Sequence, residues 1–246
     1  MPREDYTSAG AHRHRGRAIE PRPDSPKPEE ETGKDWVGRP LRTLPGLVHS
    51  FRNAGRGVMR TVSTQRNMRI HTVSATMVMI LGMTLPFDLA SRTALLFCVA
   101  LVFFAEILNT ALESFVDLHV RSFHRHAMIA KDAAAAGVLV LAVATVTILA
   151  AILYMEWGTV MANSAAIVRS AAFGLPIVIL VVTLLWWARR TWLRALLFAA
   201  AAALALPLWA GSEDPVFSTC LGGLLLLSAL ARPGPEIGDD YRATRQ

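Results

Sequence analysis

Apolar residues fall into six long runs separated by short polar breaks: Thr72–Leu89, Thr93–Leu118, Ala127–Met155, Ala165–Ala188, Leu193–Ala210 and Val216–Ala231. A helical run of roughly 17–25 mostly apolar residues matches the ~30 Å hydrocarbon core of a bilayer. The pattern therefore predicts about six transmembrane helices, of which the first and last are short. Ahead of them, Leu44 to Arg66 alternates differently. Leu47, Val48, Phe51, Val58, Met59 and Val62 recur at spacings of three, four and seven, with Arg52, Arg56 and Arg60 between them. That is the period of an amphipathic helix, and arginines flanking an apolar stripe suit a helix lying in the membrane interface. An ordinary helix packed on a neighbour fits the same pattern.

Composition supports this only through its distribution. Hydrophobic residues make up 53% and charged residues 18%, a modest shift from soluble domains at about half and a quarter. What excludes a soluble class is that the charges crowd before residue 72. Residues 1–44 are rich in Arg, Glu, Pro, Gly and Ser, as in PRPDSPKPEEE. Such a stretch buries too little apolar surface to offset ordering entropy, so a disordered tail is expected there. Met1 to Lys34 lack the apolar centre of a secretory signal, and no cleavage is expected. Cys98 and Cys220 both sit in apolar runs, too few for a disulfide framework and too scattered for a metal site. They read as small buried hydrophobes.

The basic residues set an orientation. The first tail is arginine-rich, the break after the second run carries Arg121, Arg125 and Lys131, and the break after the fourth carries Arg189, Arg190 and Arg194. The end of the chain adds Arg232, Arg242 and Arg245, whereas the opposite breaks hold one base, one base and none. Lys and Arg collect on the cytoplasmic side. The expectation is a multi-pass membrane protein with both termini cytoplasmic.

The second run begins as a plain lipid-facing helix and then turns polar, with Glu106, Asn109, Glu113 and Asp117 in its second half. A carboxylate within a span costs about 2.5–3.5 kcal/mol even on lenient scales and usually marks function. At ~100° per residue, Glu113 and Asp117 lie roughly 20° to either side of Glu106, and Asn109 about 60° away. One helix face is therefore acidic. Glu106 and Glu113 stand about 10 Å apart along the axis, too far to share a proton and suited to separate tasks at two depths. The third run opens with Lys131 and Asp132, followed by Ala and Gly that allow close helix packing. A lysine there can hold phosphate as a point charge. A further polar cluster, Gln65 to His71, precedes the first run. Three readings fit these residues: catalysis at the cytoplasmic interface, an ion or proton path, and structural pairing of carboxylates with arginines.

Three segments carry a resemblance. RNMRIH (Arg66–His71), AEILNTALESFVD (Ala105–Asp117) and AKDAAAAGVLV (Ala130–Val140) resemble, in order and spacing, the signature blocks of small prokaryotic diacylglycerol and undecaprenol kinases. The likeness covers roughly Gly46 to Ile152. It implies an all-α integral membrane fold: an interfacial amphipathic helix plus a three-helix kinase core over 45–155. About three additional transmembrane helices over 156–232 follow here as an accessory module, with a cytoplasmic tail over 233–246. The activity implied is transfer of the ATP γ-phosphate to a membrane lipid hydroxyl, with Mg2+, by a homotrimer and without a glycine-rich phosphate loop. No nucleic acid is expected among the partners. By the same likeness Glu106 matches the catalytic carboxylate, expected to take the lipid hydroxyl proton, and Asn109 a polar neighbour that orients groups. Glu113 matches the magnesium-binding glutamate, and Lys131 and Asp132 match nucleotide-contacting positions beside it. Arg69, Asp117 and His124 fit as substrate-binding or site-supporting residues. Gln65 stands where the family usually carries a metal-holding glutamate; its amide oxygen can still ligate magnesium but lacks the charge.

The second half of the chain has no histidine, since all seven precede Ala127, so a histidine-dependent phosphatase is not expected. Trp186, Trp187 and Trp192 with Arg189, Arg190 and Arg194 read as an interfacial aromatic–basic belt. A lipid kinase is the leading function. An ion- or proton-conducting protein and a non-catalytic kinase-derived scaffold are the alternatives, the latter supported by Gln65 alone.

Overall fold

The computed structural model of the chain describes residues 44–120, 124–212 and 214–234. Among these residues there are eight helices and no strand: α1 Leu44–Thr64, α2 Arg66–Thr84, α3 Leu89–His119, α4 Arg125–Met155, α5 Trp157–Ala162, α6 Ser164–Trp186, α7 Thr191–Gly211 and α8 Pro215–Leu230. The tail expected over 1–44, apart from Leu44, lies outside the described residues, as do Arg121, Arg242, Arg245 and all but the first two residues of the tail expected over 233–246.

Each of the six apolar runs lies on a helix. Four of these helices, α3, α4, α6 and α7, are long and apolar enough to cross a membrane, and α8 is apolar but shorter, at 16 residues. The protein is an all-α integral membrane protein. The first run differs from expectation in its end. It was expected to reach Leu89, but α2 stops at Thr84 and Leu85 is extended at φ −104, ψ 133. The cause is Pro86, whose ring disfavours helical geometry in the residue before it. Asp88 then starts α3, its carboxylate accepting from the Ser91 N–H at 2.8 Å.

The less apolar α2 occupies the middle of the bundle, packed against α6 and α8 and, over shorter lengths, α3 and α7. Met68, Thr72, Ala75, Thr76, Val78 and Met79 are buried along it. The Thr72 and Thr76 hydroxyls donate to the carbonyls of Met68 at 2.8 Å and Thr72 at 2.9 Å, so protein and not lipid surrounds satisfied polar groups. Where α2 meets α8, Gly82 is required by contact. A Cβ there would fall 2.5 Å from the Phe217 ring, and Phe217 is fully buried.

Two devices tie the later helices into the bundle. Asp214 caps α8 by accepting from the N–H groups of Val216 at 2.8 Å and Phe217 at 3.1 Å, and pairs with Arg92 of α3 at 2.8 Å. Arg194, expected in the interfacial belt, requires a correction. Trp187, Trp192, Arg189 and Arg190 are exposed, but Arg194 is only 3% exposed. Its guanidinium donates to Leu184 at 2.9 Å and Ala188 at 2.7 Å at the end of α6. It also reaches Ser228 at 2.7 Å, Ala229 at 3.0 Å and Ala231 at the end of α8. The last carbonyls of a helix lack intrahelical partners and form its negative pole. A buried cation shared by two such ends satisfies both.

Candidate active site

The break between α1 and α2 places the first site residue. Gln65 is extended, at φ −97, ψ 123, and its side chain does not cap α2. The amide reaches α3 instead, Nε2 lying 3.4 Å from Glu113 Oε2. From one turn deeper, Asn109 Nδ2 donates to the other oxygen of Glu113 at 3.1 Å. Glu113 is half-buried and thus receives one amide N–H on each oxygen. One turn toward the helix end, Asp117 accepts from Lys131 Nζ of α4 at 2.6 Å. The α3–α4 contact, the most extensive in the protein, brings these helices together. All three polar segments thus converge at the end of the bundle where α2 and α4 begin.

Deeper in the bundle, a pocket of about 220 Å³ opens between α2, α3 and α4. Asn67 and His71 of α2, Glu106 and Asn109 of α3, and Ala135 and Val138 of α4 line it. Glu106 is 1% exposed, and among the described residues neither of its carboxylate oxygens has a hydrogen-bond partner, nor has Asn109 Oδ1. An unsatisfied buried polar group costs about 1–3 kcal/mol and more when charged, so a native protein keeps one for a chemical reason. Both residues line the pocket, so their orphaned acceptors lie in its wall, where a small side-chain shift would meet a donor such as a hydroxyl.

The carboxylates sort by surroundings. Glu106 is buried, with no partner among the described residues. Glu113 is held by two amides. Asp117 and Lys131 form an ion pair with side chains 51% and 34% exposed, which is easily parted because water screens it. Asp132 is exposed next to Lys131, and His124, at the start of α4, is exposed with its ring 5.6 Å from that of His126. Neither lines the pocket.

Arg69 also lies elsewhere. Its guanidinium donates to the carbonyls of Val62 at 3.2 Å, Ser63, and Gly234 at 3.3 Å, and stands 6.0 Å from the Trp186 ring. It closes the end of α1 and reaches the segment after α8. The sequence contained the signal. Asn67 and His71 are four residues apart and share a face, whereas Arg69 is about 200° from each. The same count identifies Asn67 and His71 as pocket residues, to which no role was assigned from the sequence.

Among the described residues no group of three or more His, Cys, Asp or Glu side chains gathers as a metal cage. The donors present fit a different mode. Magnesium keeps waters and is held by one or two carboxylates together with substrate phosphates, and Glu113, bonded to the pocket residue Asn109, offers one such carboxylate. Gln65 presents its N–H to Glu113, so ligation through Gln65 requires its amide to turn its oxygen toward the ion.

Residues 52–153 match the family described as "Prokaryotic diacylglycerol kinase". The protein called diacylglycerol kinase of Synechocystis sp. is 42% identical over 121 residues, which cover 47% of this chain and 69% of that one. The undecaprenol kinase of Bacillus subtilis is 38% identical over 100 residues, covering 41% of this chain and 81% of its own. No solved structure matches the chain. With its three polar segments converging on one pocket, and with relatives matched over more than two thirds of their length, the chain belongs to the prokaryotic diacylglycerol kinase family of lipid kinases.

Proposed function

We propose that the protein transfers the γ-phosphate of ATP to the hydroxyl of a membrane lipid, diacylglycerol or undecaprenol, at the cytoplasmic face of a bacterial cell membrane. The supporting observation is the buried Glu106 carboxylate, without a hydrogen-bond partner among the described residues, in the wall of a pocket also lined by Asn109, which binds Glu113. In this reading Glu106 accepts the proton of the lipid hydroxyl as that oxygen attacks the terminal phosphorus and the bond from that phosphorus to the bridging oxygen breaks, releasing ADP; the Asn109 carbonyl oxygen helps orient the hydroxyl. Glu113 holds the magnesium of the nucleotide, and Gln65 and Asn109 hold Glu113. Bound there, magnesium neutralises phosphate charge. Lys131 exchanges its exposed partner Asp117 for a phosphate oxygen, and Asp132 contacts the nucleotide beside it. Phosphoryl transfer is chiefly positioning and charge stabilisation, so a sparse set suffices. Residues 45–155 carry this chemistry and 156–232 support it. The bases clustered at the pocket's end of the bundle support a cytoplasmic position for that end. Assembly into a homo-oligomer suits the long exposed apolar face of α4, which includes Leu139, Val140 and Val143.

The test is transfer of label from ATP to diacylglycerol or undecaprenol by purified protein in detergent, comparing wild type with Glu106→Gln. General-base catalysis is worth about 10²–10⁴, and turnover should fall by that order while helix content is kept. A variant retaining most of its turnover rejects the base assignment. A wild type that labels neither lipid while binding nucleotide rejects the transfer reaction and leaves a scaffold.

A further inference from the structure

Beyond the polar pocket the same helix faces continue. On α2, Ile70 and His71 of the pocket are followed at three- and four-residue steps by Ser74, Met77 and Leu81. On α4, Ala142 of the pocket is followed by Thr145 and Leu149. Residues at such steps stack on one side of a helix. These later residues line a second, larger cavity of about 450 Å³, whose other wall is α6, with Ala171, Leu175 and Val178. The cavity exists because α4 packs on α3 whereas α6 packs on α2 and α7, leaving a groove between α4 and α6 with α2 as its floor. From Ser74 to Thr84 it runs roughly 15 Å along α2. Two of its four lining hydroxyls bond back to their own helices: Thr145 donates to Leu141 at 2.8 Å and Thr84 to Ile80 at 2.7 Å. The walls are mostly apolar, and on both α2 and α4 the cavity begins about one helical turn beyond the pocket that Glu106 lines.

We propose that this groove holds an aliphatic chain of the lipid acceptor, with α6 as a specificity wall of the acceptor site. The proposal rests on the lipid-kinase reading above and extends it to a helix lying wholly outside the family-matched residues 52–153. The groove fits a chain whose headgroup hydroxyl sits at Glu106: apolar walls for the tail, unpartnered oxygens for the head, and continuous helix faces between them. Leaving bilayer for groove gains a chain little hydrophobic energy, because lipid tails are already apolar. The gain is positional. A tail seated between α4 and α6 fixes the depth and orientation of the hydroxyl, which is where holding a substrate accelerates a reaction.

Two measurements test it. In the first, full-length wild type, Ala171→Trp on the α6 wall and Thr145→Phe on the α4 wall are assayed with dioleoylglycerol and with a short-chain diacylglycerol. The ratio of long-chain to short-chain kcat/KM should fall about tenfold in both variants, equivalent to ~1.4 kcal/mol. An unchanged ratio overturns the proposal. In the second, a diacylglycerol carrying a diazirine near its acyl terminus is photolysed with the protein in detergent and the adducts are mapped by mass spectrometry. Label should fall on Ala171–Val178 and Thr145–Leu149, be displaced by unlabelled dioleoylglycerol and be lost in Ala171→Trp. Label spread evenly over lipid-facing residues and not displaced means annular lipid only, and overturns the proposal. The mapping needs no turnover, so a wild type that fails to phosphorylate either lipid defeats the kinase reading while the adducts still decide the groove.

Discussion

Replacing Gln65 with glutamate tests the metal assignment through two effects of opposite sign. Gln65 Nε2 now lies 3.4 Å from Glu113 Oε2 and donates to it. In Gln65→Glu, two carboxylates face each other at that separation. Coulomb's law gives about 5 kcal/mol of repulsion at an effective dielectric of ~20 and about 1 kcal/mol at ~80. Both residues are half-buried and the side chains can part, so a net cost of about 1–2 kcal/mol is expected at this mixed boundary. Without divalent cation the variant should therefore melt several degrees below wild type in detergent. A cation between the carboxylates removes the repulsion and gains attraction from both. By linkage, its affinity should rise as the metal-free state becomes less stable, so the magnesium concentration for half-maximal turnover should fall about tenfold. The assay pairs thermal melting with and without magnesium against a magnesium titration of lipid phosphorylation. A variant destabilised equally with and without magnesium, or one whose magnesium dependence is unchanged, would show that Gln65 and Glu113 do not share an ion.

Two further outcomes concern the scaffold. Arg194→Met strips five carbonyls at the ends of α6 and α8 of their donor; breaking a buried charged network costs about 3–5 kcal/mol, so the melting temperature should drop steeply, and a loss within error would show that water replaces the guanidinium. Gly82→Ala forces a Cβ to 2.5 Å from the Phe217 ring and should cost about 1–3 kcal/mol by overpacking; Gly137→Ala meets nothing within 4 Å on α4 and should be neutral or stabilising by up to ~1 kcal/mol. Equal effects in the melting assay would contradict the packing of α2 on α8. A clear loss at Gly137 would place a second copy against α4.

Much of the architecture was legible from periodicity, because a bilayer enforces run length and a helix enforces its period. The acidic face of α3 followed from counting residues, whereas the pairing of Lys131 with Asp117 depends on how α3 and α4 meet in space. The two arginines, Arg69 and Arg194, were harder. In the sequence each resembles a basic residue at the end of a span, facing water or a ligand. In the structure each turns inward to carbonyls released where helices stop. Which carbonyls meet in space depends on distant helix ends, Gly234 for Arg69 and Ala231 for Arg194, and no local pattern encodes that. For Arg69 the angular count against Asn67 and His71 already pointed away from the pocket. For Arg194 no comparable signal exists.

The position of α2 has a consequence for how the protein is made. The helix α2 takes its main neighbours, α6 and α8, from segments that follow it by 80 residues or more and so are synthesised after it. Until those helices enter the bilayer, Met68, Thr72 and Met79 have lipid where they later have protein. Contacts between segments so distant in sequence form late, since the intervening loop must first be closed. Biogenesis therefore passes through a stage in which the site residues on α3 and α4 are already inserted while the helix that completes their pocket still awaits its partners.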